Sequence, residues 1–489
     1  MAADLRALVE AQAAAHPDAP FVIEAETGRT LSYGDLRAVA LTIARRLADE
    51  GLSAGDRVGL AVPNGVEAAA LFVAVIAAGY VATPLSLLAT SEQLGFVLNH
   101  SRCKFVFAGS LQAEALVQLQ RAHVETVDSP FALGQGEWPL PPRGENDDAL
   151  LMYTSGTTGR PKGVRLTHRA ILAGARFVSE AHELRGQDRV LAVLPLYHIN
   201  AQIVTVLAPL WHGGSLVMPQ RFSVASFWRW AAEYHCSWLN VVPTMIAYLL
   251  NGLDPIGDLS AVRFCRSASA PLPAEHLSSF ERRFRIGVLE TMGLTETAAP
   301  VFTNPLRHEL RKPGSPGQAF GSRARIVDPA SGAPLGDDEV GEIQIQGANV
   351  MAGYLDDDAE TVKTFTSDGW LRTGDLGRRD RDGFHFITGR LKELIIKGGE
   401  NIAPREIDEA LLCHPAVLEA AAYGVAHPLY GQDVEAAVVV KPGAEVSEAE
   451  LLRICHDLVG AFKYPRAIRF LAELPKGPSG KLQRLRLQP

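Results

Sequence analysis

Cysteine is scarce in this chain. The five that occur, Cys103, Cys236, Cys265, Cys413 and Cys455, are far apart and form no CxxC pair. That pattern excludes a disulfide framework and a cysteine-based zinc site. A basic excess is also missing: Lys plus Arg is 47 against 55 for Asp plus Glu, a net charge of -8. A broadly basic face for nucleic acid is therefore not expected. No long apolar run survives inspection. Residues 68–90 carry no charge, but Gly79, Tyr80 and Pro84 interrupt them. They read as a buried helix over 66–78 turning into a strand, so no membrane span is expected. The first residues lack a basic region followed by an apolar stretch, which argues against a signal peptide and for the cytoplasm. Internal repeats and low-complexity segments are absent too.

Apolar residues at 47% and charged residues at 21% instead describe an ordinary globular chain. Its 489 residues suggest about three structural units at the usual domain size. Leu5 to His16 has helical spacing. Phe21–Ile23, Thr30–Tyr33 and Val58–Val62 read as short strands. Asp35 to Glu50 places Leu36, Val39, Ala40, Ile43, Ala44 and Leu47 on one stripe. Helix and strand in alternation predict an α/β fold with largely parallel sheets, a rhythm expected through residue 320. From residue 340 the texture becomes short alternating strands, such as Glu342–Gln346, and Arg381-Asp382-Gly383 signals a hairpin. A second small unit is expected after Gly389-Arg390, with a strand at 436–440 and helices at 405–413 and 447–458.

The 44 glycines and 30 prolines matter by placement. Residues 153–164 read Tyr-Thr-Ser-Gly-Thr-Thr-Gly-Arg-Pro-Lys-Gly-Val, following an apolar strand at 149–152. Gly156, Gly159 and Gly163 let backbone N–H groups approach an anion. Thr154, Ser155, Thr157 and Thr158 add hydroxyl donors, and Lys162 adds a charge. Together they form a candidate phosphate cradle. It differs from the ordinary P-loop, because Pro161 stands where the second glycine should be.

This segment resembles the phosphate loop of the adenylate-forming superfamily, which includes acyl-CoA synthetases, firefly luciferase and peptide-synthetase adenylation domains. Further motifs follow in family order, from Leu31–Leu36 to Lys481. The resemblance implies a large N-terminal domain, residues 1–391, of two stacked αβα-type subdomains plus a small distorted β-barrel. A small mobile α+β domain, residues 392–489, follows it. It also implies a two-step reaction. Carboxylate plus ATP gives acyl-AMP and pyrophosphate, and a thiol then takes the acyl group.

Residue roles follow by the same resemblance. In Glu290-Thr-Met-Gly-Leu-Thr-Glu296, Thr295 contacts phosphate and Glu296 holds Mg²⁺, a hard cation that suits oxygen ligands. Met292 departs from the usual adenine-stacking aromatic, though a thioether can still pack on a ring. Ser269, Ala270 and Pro271 line the adenine face. Asp375, in Trp-Leu-Arg-Thr-Gly-Asp, accepts from both ribose hydroxyls. Arg390 reaches the nucleotide and Lys392 is the hinge. Gly398, Gly399 and Glu400 line the CoA side. Lys481 bridges the substrate carboxylate and the α-phosphate, offsetting the repulsion of two anions. Lys476 reads as a surface residue.

His198, Val242, Thr244, Ala298 and Ala299 should border the acyl pocket. Arg266 lies in Phe-Cys-Arg-Ser-Ala-Ser-Ala, which with Arg221-Phe-Ser resembles the oxalyl-CoA synthetase branch. A guanidinium beside a small pocket could pair with a second acidic group on oxalate, malonate or sulfoacetate. A structural ion pair away from substrate is the alternative. The expected enzyme is thus an AMP-forming acid–CoA ligase using ATP, Mg²⁺ and CoA. An aryl or medium-chain acid CoA ligase, or a stand-alone enzyme loading a carrier protein, remains open. A non-enzymatic AMP-binding sensor would need the catalytic lysine to be missing, and Lys481 is present. Oligomeric state is not legible.

Overall fold

A computed structural model describes residues 3–119, 121–127, 129–155, 161–476 and 482–488. The helix Tyr33–Asp49 shows how local sequence sets an element. Ser32 accepts from the Asp35 N–H at 3.1 Å, and Asp35 accepts from the Ser32 N–H at 3.1 Å. This capping box satisfies two otherwise orphaned groups. It also ends the preceding strand at Ser32, so Tyr33 opens the helix instead of closing the strand. The expected apolar stripe is buried, from Leu36 to Leu47. Val66–Ala77 is buried on nearly every side and passes through Gly79 to the strand Val81–Pro84, as the sequence implied. Among the described residues, no helix is long and apolar enough to cross a membrane.

Two sheets share one continuous core. The first runs Thr30–Ser32, Pro20–Glu24, Ser215–Met218, Arg189–Ala192, Trp238–Val241, Phe264–Ser267 and Val288–Leu294. From Pro20–Glu24 onward these neighbours are parallel. The second runs His123–Thr126, Phe105–Ala108, Arg57–Ala61, Val81–Pro84, Asp148–Ser155, Pro161–Thr167 and Gly353–Tyr354. The helices Tyr33–Asp49, Val66–Ala77 and His168–Ala181 contribute to the core between them.

The helix–strand rhythm stops earlier than residue 320. Val288–Leu294 pairs antiparallel with Ala299–Thr303, and the antiparallel series continues through Gly317–Ala319, Phe384–Arg390, Leu371–Arg379, Gly341–Gln346 and Arg323–Val327. The connection from 294 to 299 is too short for a parallel crossover, which needs about a dozen residues or more. These strands occupy the place of the expected small barrel and are continuous with the parallel sheet. A third sheet holds Glu400–Ile402, Ile395–Lys397, Gly431–Val440, Val417–His427 and Ile468–Phe470. The helices Pro404–Leu412 and Glu448–Lys463 pack with it around a core of its own.

Candidate active site

The C-terminal ends of four adjacent parallel strands build the site. Ligands of α/β sheets gather at such ends. Arg189–Ala192 leads to His198 and Asn200, Trp238–Val241 to Val242 and Thr244, Phe264–Ser267 to Ser269–Pro271, and Val288–Leu294 to Thr295 and Glu296. The topology therefore brings the predicted acyl-pocket and nucleotide segments to one edge. Two non-glycine residues there have positive φ, Ser269 at 75° and Ala298 at 43°. Ala298 is fully buried, and its carbonyl oxygen would lie 2.1 Å from a Cβ added at Gly174. Only glycine permits that approach.

The phosphate segment is less of a loop than its composition suggests. Asp148–Ser155 and Pro161–Thr167 pair antiparallel, with Thr154 opposite Lys162 and Ser155 opposite Pro161. Tyr153, Thr154, Lys162 and Gly163 thus belong to strands, because ladder hydrogen bonds satisfy their backbones. Gly156, Thr157, Thr158 and Gly159 lie outside the described residues, as does Lys481. Lys162 is ion-paired with Glu360, and its ammonium stands 5.1 Å from the Tyr354 ring centroid. The Tyr354 hydroxyl donates to Glu296 Oε1 at 3.1 Å, and the Met351 N–H donates to the Glu296 carbonyl at 2.8 Å. Burial pushes the Tyr354 hydroxyl pKa up, aided by the Glu296 charge, so it stays a donor. Tyr354 and Glu360 were not legible as site residues, since only tertiary pairing of Gly353–Tyr354 with Pro161–Thr167 delivers them.

Asp375 is buried, and its Oδ1 is 2.8 Å from Arg390 Nε. Gly374, at φ 69°, turns the chain just before it, and Thr373 Oγ1 accepts from the Asp375 N–H at 3.0 Å. Met292 is half-buried and packs with the antiparallel strands' apolar cluster. Lys392 lies in the turn Leu391–Glu393. Gly398 and Gly399, at φ 58° and 87°, join Ile395–Lys397 to Glu400–Ile402, and all three of Gly398, Gly399 and Glu400 are exposed. Lys476 is tied to Glu419 at the surface.

Arg266 is the notable member of the acyl side. It is 2% exposed, yet no carboxylate among the described residues pairs with it. Its Nη1 donates to Asn200 Oδ1 at 2.9 Å and Asn240 Oδ1 at 2.8 Å. Its Nε has no hydrogen-bond partner among the described residues. Burial alone pushes its pKa down to about 9. The alternative of a structural ion pair is thereby not what the described residues show. Asn200 and Asn240 escaped the sequence reading because a neutral amide gives no charge pattern.

Two family descriptions match the chain: AMP-binding enzyme over residues 9–355, and AMP-binding enzyme C-terminal domain over residues 406–481. The chain belongs to the AMP-binding enzyme family. It is 52% identical to a sulfoacetate–CoA ligase of Cupriavidus necator, over 99% of this chain and 97% of that protein. An oxalate–CoA ligase of Arabidopsis thaliana is 35% identical over 90% of this chain and 89% of the other. The crystal structure of ATP-bound MatB from Rhodopseudomonas palustris superposes with a TM-score of 0.90 at 31% identity, covering 100% and 98% of the two chains. This AMP-binding enzyme is accordingly an ATP-dependent acid–CoA ligase of the adenylate-forming superfamily, with ATP and CoA as substrates. The expected fold class and activity are borne out.

Proposed function

We propose that the acid is short and carries a second anionic group, with sulfoacetate the first candidate. The observation that carries this is Arg266: a buried guanidinium that lacks a carboxylate partner among the described residues and is held by Asn200 and Asn240. An uncompensated buried charge costs several kcal/mol, and a substrate anion would offset that cost. The 52% identity to a sulfoacetate–CoA ligase supports the same choice.

On this reading residues 1–391 hold ATP and the acid, and residues 392–489 rotate about Lys392 between the two half-reactions. Thr154, Ser155 and Lys162, with Gly156–Gly159, receive the phosphates; Thr295 adds a donor. Asp375 and Arg390 take the ribose side, and Ser269–Pro271 with Met292 border the adenine. The acid's carboxylate oxygen attacks the α-phosphorus and pyrophosphate leaves, with Lys481 offsetting the negative charge. The CoA thiolate, entering past Gly398, Gly399 and Glu400, then attacks the acyl carbonyl and AMP leaves.

Glu296 would hold Mg²⁺. Among the described residues no group of three or more potential ligands exists. That fits a metal bound by one carboxylate plus substrate phosphates and water. When bound, Mg²⁺ would neutralise phosphate charge. A pyrophosphate-release screen across short acids, with and without CoA, tests the reading. Sulfoacetate should lead, and Arg266→Leu should lose far more activity on sulfonates and dicarboxylates than on simple acids of equal size. Equal losses on both classes would refute the assignment.

A further inference from the structure

We infer that Asn200 and Asn240 determine the preference for doubly anionic acids, by holding the Arg266 guanidinium without neutralising it. This rests on the reading of Arg266 as the anion receptor.

The hydrogen-bond directions are forced. A guanidinium has no acceptor, so each amide that meets it must present oxygen. Both do so at the same nitrogen: Nη1 donates to Asn200 Oδ1 at 2.9 Å and to Asn240 Oδ1 at 2.8 Å. The amide nitrogens then face away. Asn240 Nδ2 donates to Asn200 Oδ1 at 3.3 Å, and Asn200 Nδ2 donates to Ser269 Oγ at 3.2 Å. Asn240 is fully buried and Asn200 is 7% exposed, so water replaces neither contact. Both protons of Nη1 are consumed. The Nε edge has no partner among the described residues. Nε–H and the adjacent Nη2–H form a side-on fork, and that fork matches two oxygens of a sulfonate or carboxylate.

Asn200 and Asn240 are neutral and leave the charge uncompensated. His182 is held neutral, its pKa pushed down to about 3 by burial and then by Arg266 itself. A carboxylate at position 200 or 240 would be the cheaper partner for the fold alone. An amide has nearly the same shape and donates no net charge. The substrate's second anion is then the counter-ion, and an acid without one leaves a buried cation unpaired. Sites with such an unsatisfied group discriminate strongly against the analogue that fails to complete it.

Asn240→Asp tests this with an almost isosteric change. The new carboxylate sits against Nη1 permanently. Activity is compared on sulfoacetate and on 3,3-dimethylbutanoate, in which a tert-butyl group replaces the sulfonate. The kcat/KM ratio of the two acids should fall by about 100-fold, the scale of a lost bidentate charge-assisted pair. The loss should be confined to sulfoacetate, while 3,3-dimethylbutanoate holds or improves. Arg266→Leu is run in parallel. If that variant keeps the sulfoacetate preference, the receptor reading itself falls. If it loses the preference while Asn240→Asp keeps the parent ratio within about threefold, or loses both acids equally, the role of the amides falls and the receptor stands.

Discussion

Arg390 and Asp375 face each other across an antiparallel pair and close a 2.8 Å ion pair over a carboxylate that is almost wholly buried. The Asp375 charge holds the Arg390 pKa above its ordinary value against the opposing effect of burial. The pairing fixes the carboxylate's direction before any nucleotide arrives. Asp375→Asn keeps the shape, removes the charge and halves the acceptor capacity toward two ribose hydroxyls. Affinity for ATP, read by calorimetry, should weaken at least about tenfold, the scale of one charge-assisted hydrogen bond. Unchanged affinity would remove Asp375 from the ribose role.

Tyr354 and Glu296 are 58 residues apart in sequence and meet at 3.1 Å. Tyr354→Phe deletes only the hydroxyl that orients one carboxylate oxygen. If Glu296 serves Mg²⁺, the Mg²⁺ concentration for half-maximal pyrophosphate exchange should rise about tenfold, the usual cost of losing an outer partner of a metal ligand. The KM for the acid should not move. A change in acid KM with an unchanged Mg²⁺ requirement would contradict the assignment.

What the sequence shows and what it hides divide along physical lines. Asp375, Lys162 and Glu296 were legible as candidates because a local pattern surrounds each: Gly374 before the aspartate, the Gly/Thr-rich run before the lysine, the Thr-Glu pair itself. Asn240, Tyr354 and Glu360 were not, because their contacts with Arg266, Glu296 and Lys162 arise only where separate segments are laid side by side. The parallel register sets Asn240 beside Arg266. Composition also overstated one loop. Thr154 and Lys162 read from composition as parts of a phosphate-cradling loop but are opposite one another in a ladder. The α/β alternation was read too far, to residue 320, because short antiparallel strands and helix-linked parallel ones share the same β-branched composition.

Arg484 bonds two carboxylates at once. Its Nε is 3.2 Å from Glu393 Oε2, one residue past Lys392, and its Nη2 is 2.6 Å from Asp408 Oδ2. Asp408 is itself buried, which pushes its pKa up against the pull of Arg484. Arg484 follows Lys481 by three positions, and Lys476 and Leu482 pair on either side of that segment. Lys481→Ala should abolish acyl-AMP formation, while much of the thioester step from supplied acyl-AMP survives. Arg484→Met should show the same asymmetry at about 10- to 100-fold, since small misplacements of a catalytic group cost that much. Equal loss in both half-reactions would mark Arg484 as merely structural, and normal adenylation by the lysine variant would sink the role of Lys481.

Glu290 opens the segment that ends in Glu296, and it is only 9% exposed. Burial pushes its pKa up to about 7, against the opposing backbone N–H groups of Leu272 and Gly314 and the charge of Arg405; Glu409 adds to the rise. The folded state therefore binds the proton more tightly than the unfolded chain. Its contribution to stability is complete below the ordinary carboxyl pKa and is lost as pH rises through about 7. At about 1.4 kcal/mol per unit, the loss is on the order of 3 kcal/mol at most. Glu290→Gln carries no such proton. Its melting temperature relative to the parent should climb between about pH 5 and pH 8 and level off above. A difference that falls over that interval would mean that Arg405 and the two N–H groups stabilise the carboxylate more than burial penalises it, and Glu290 would then be a paired anion at working pH.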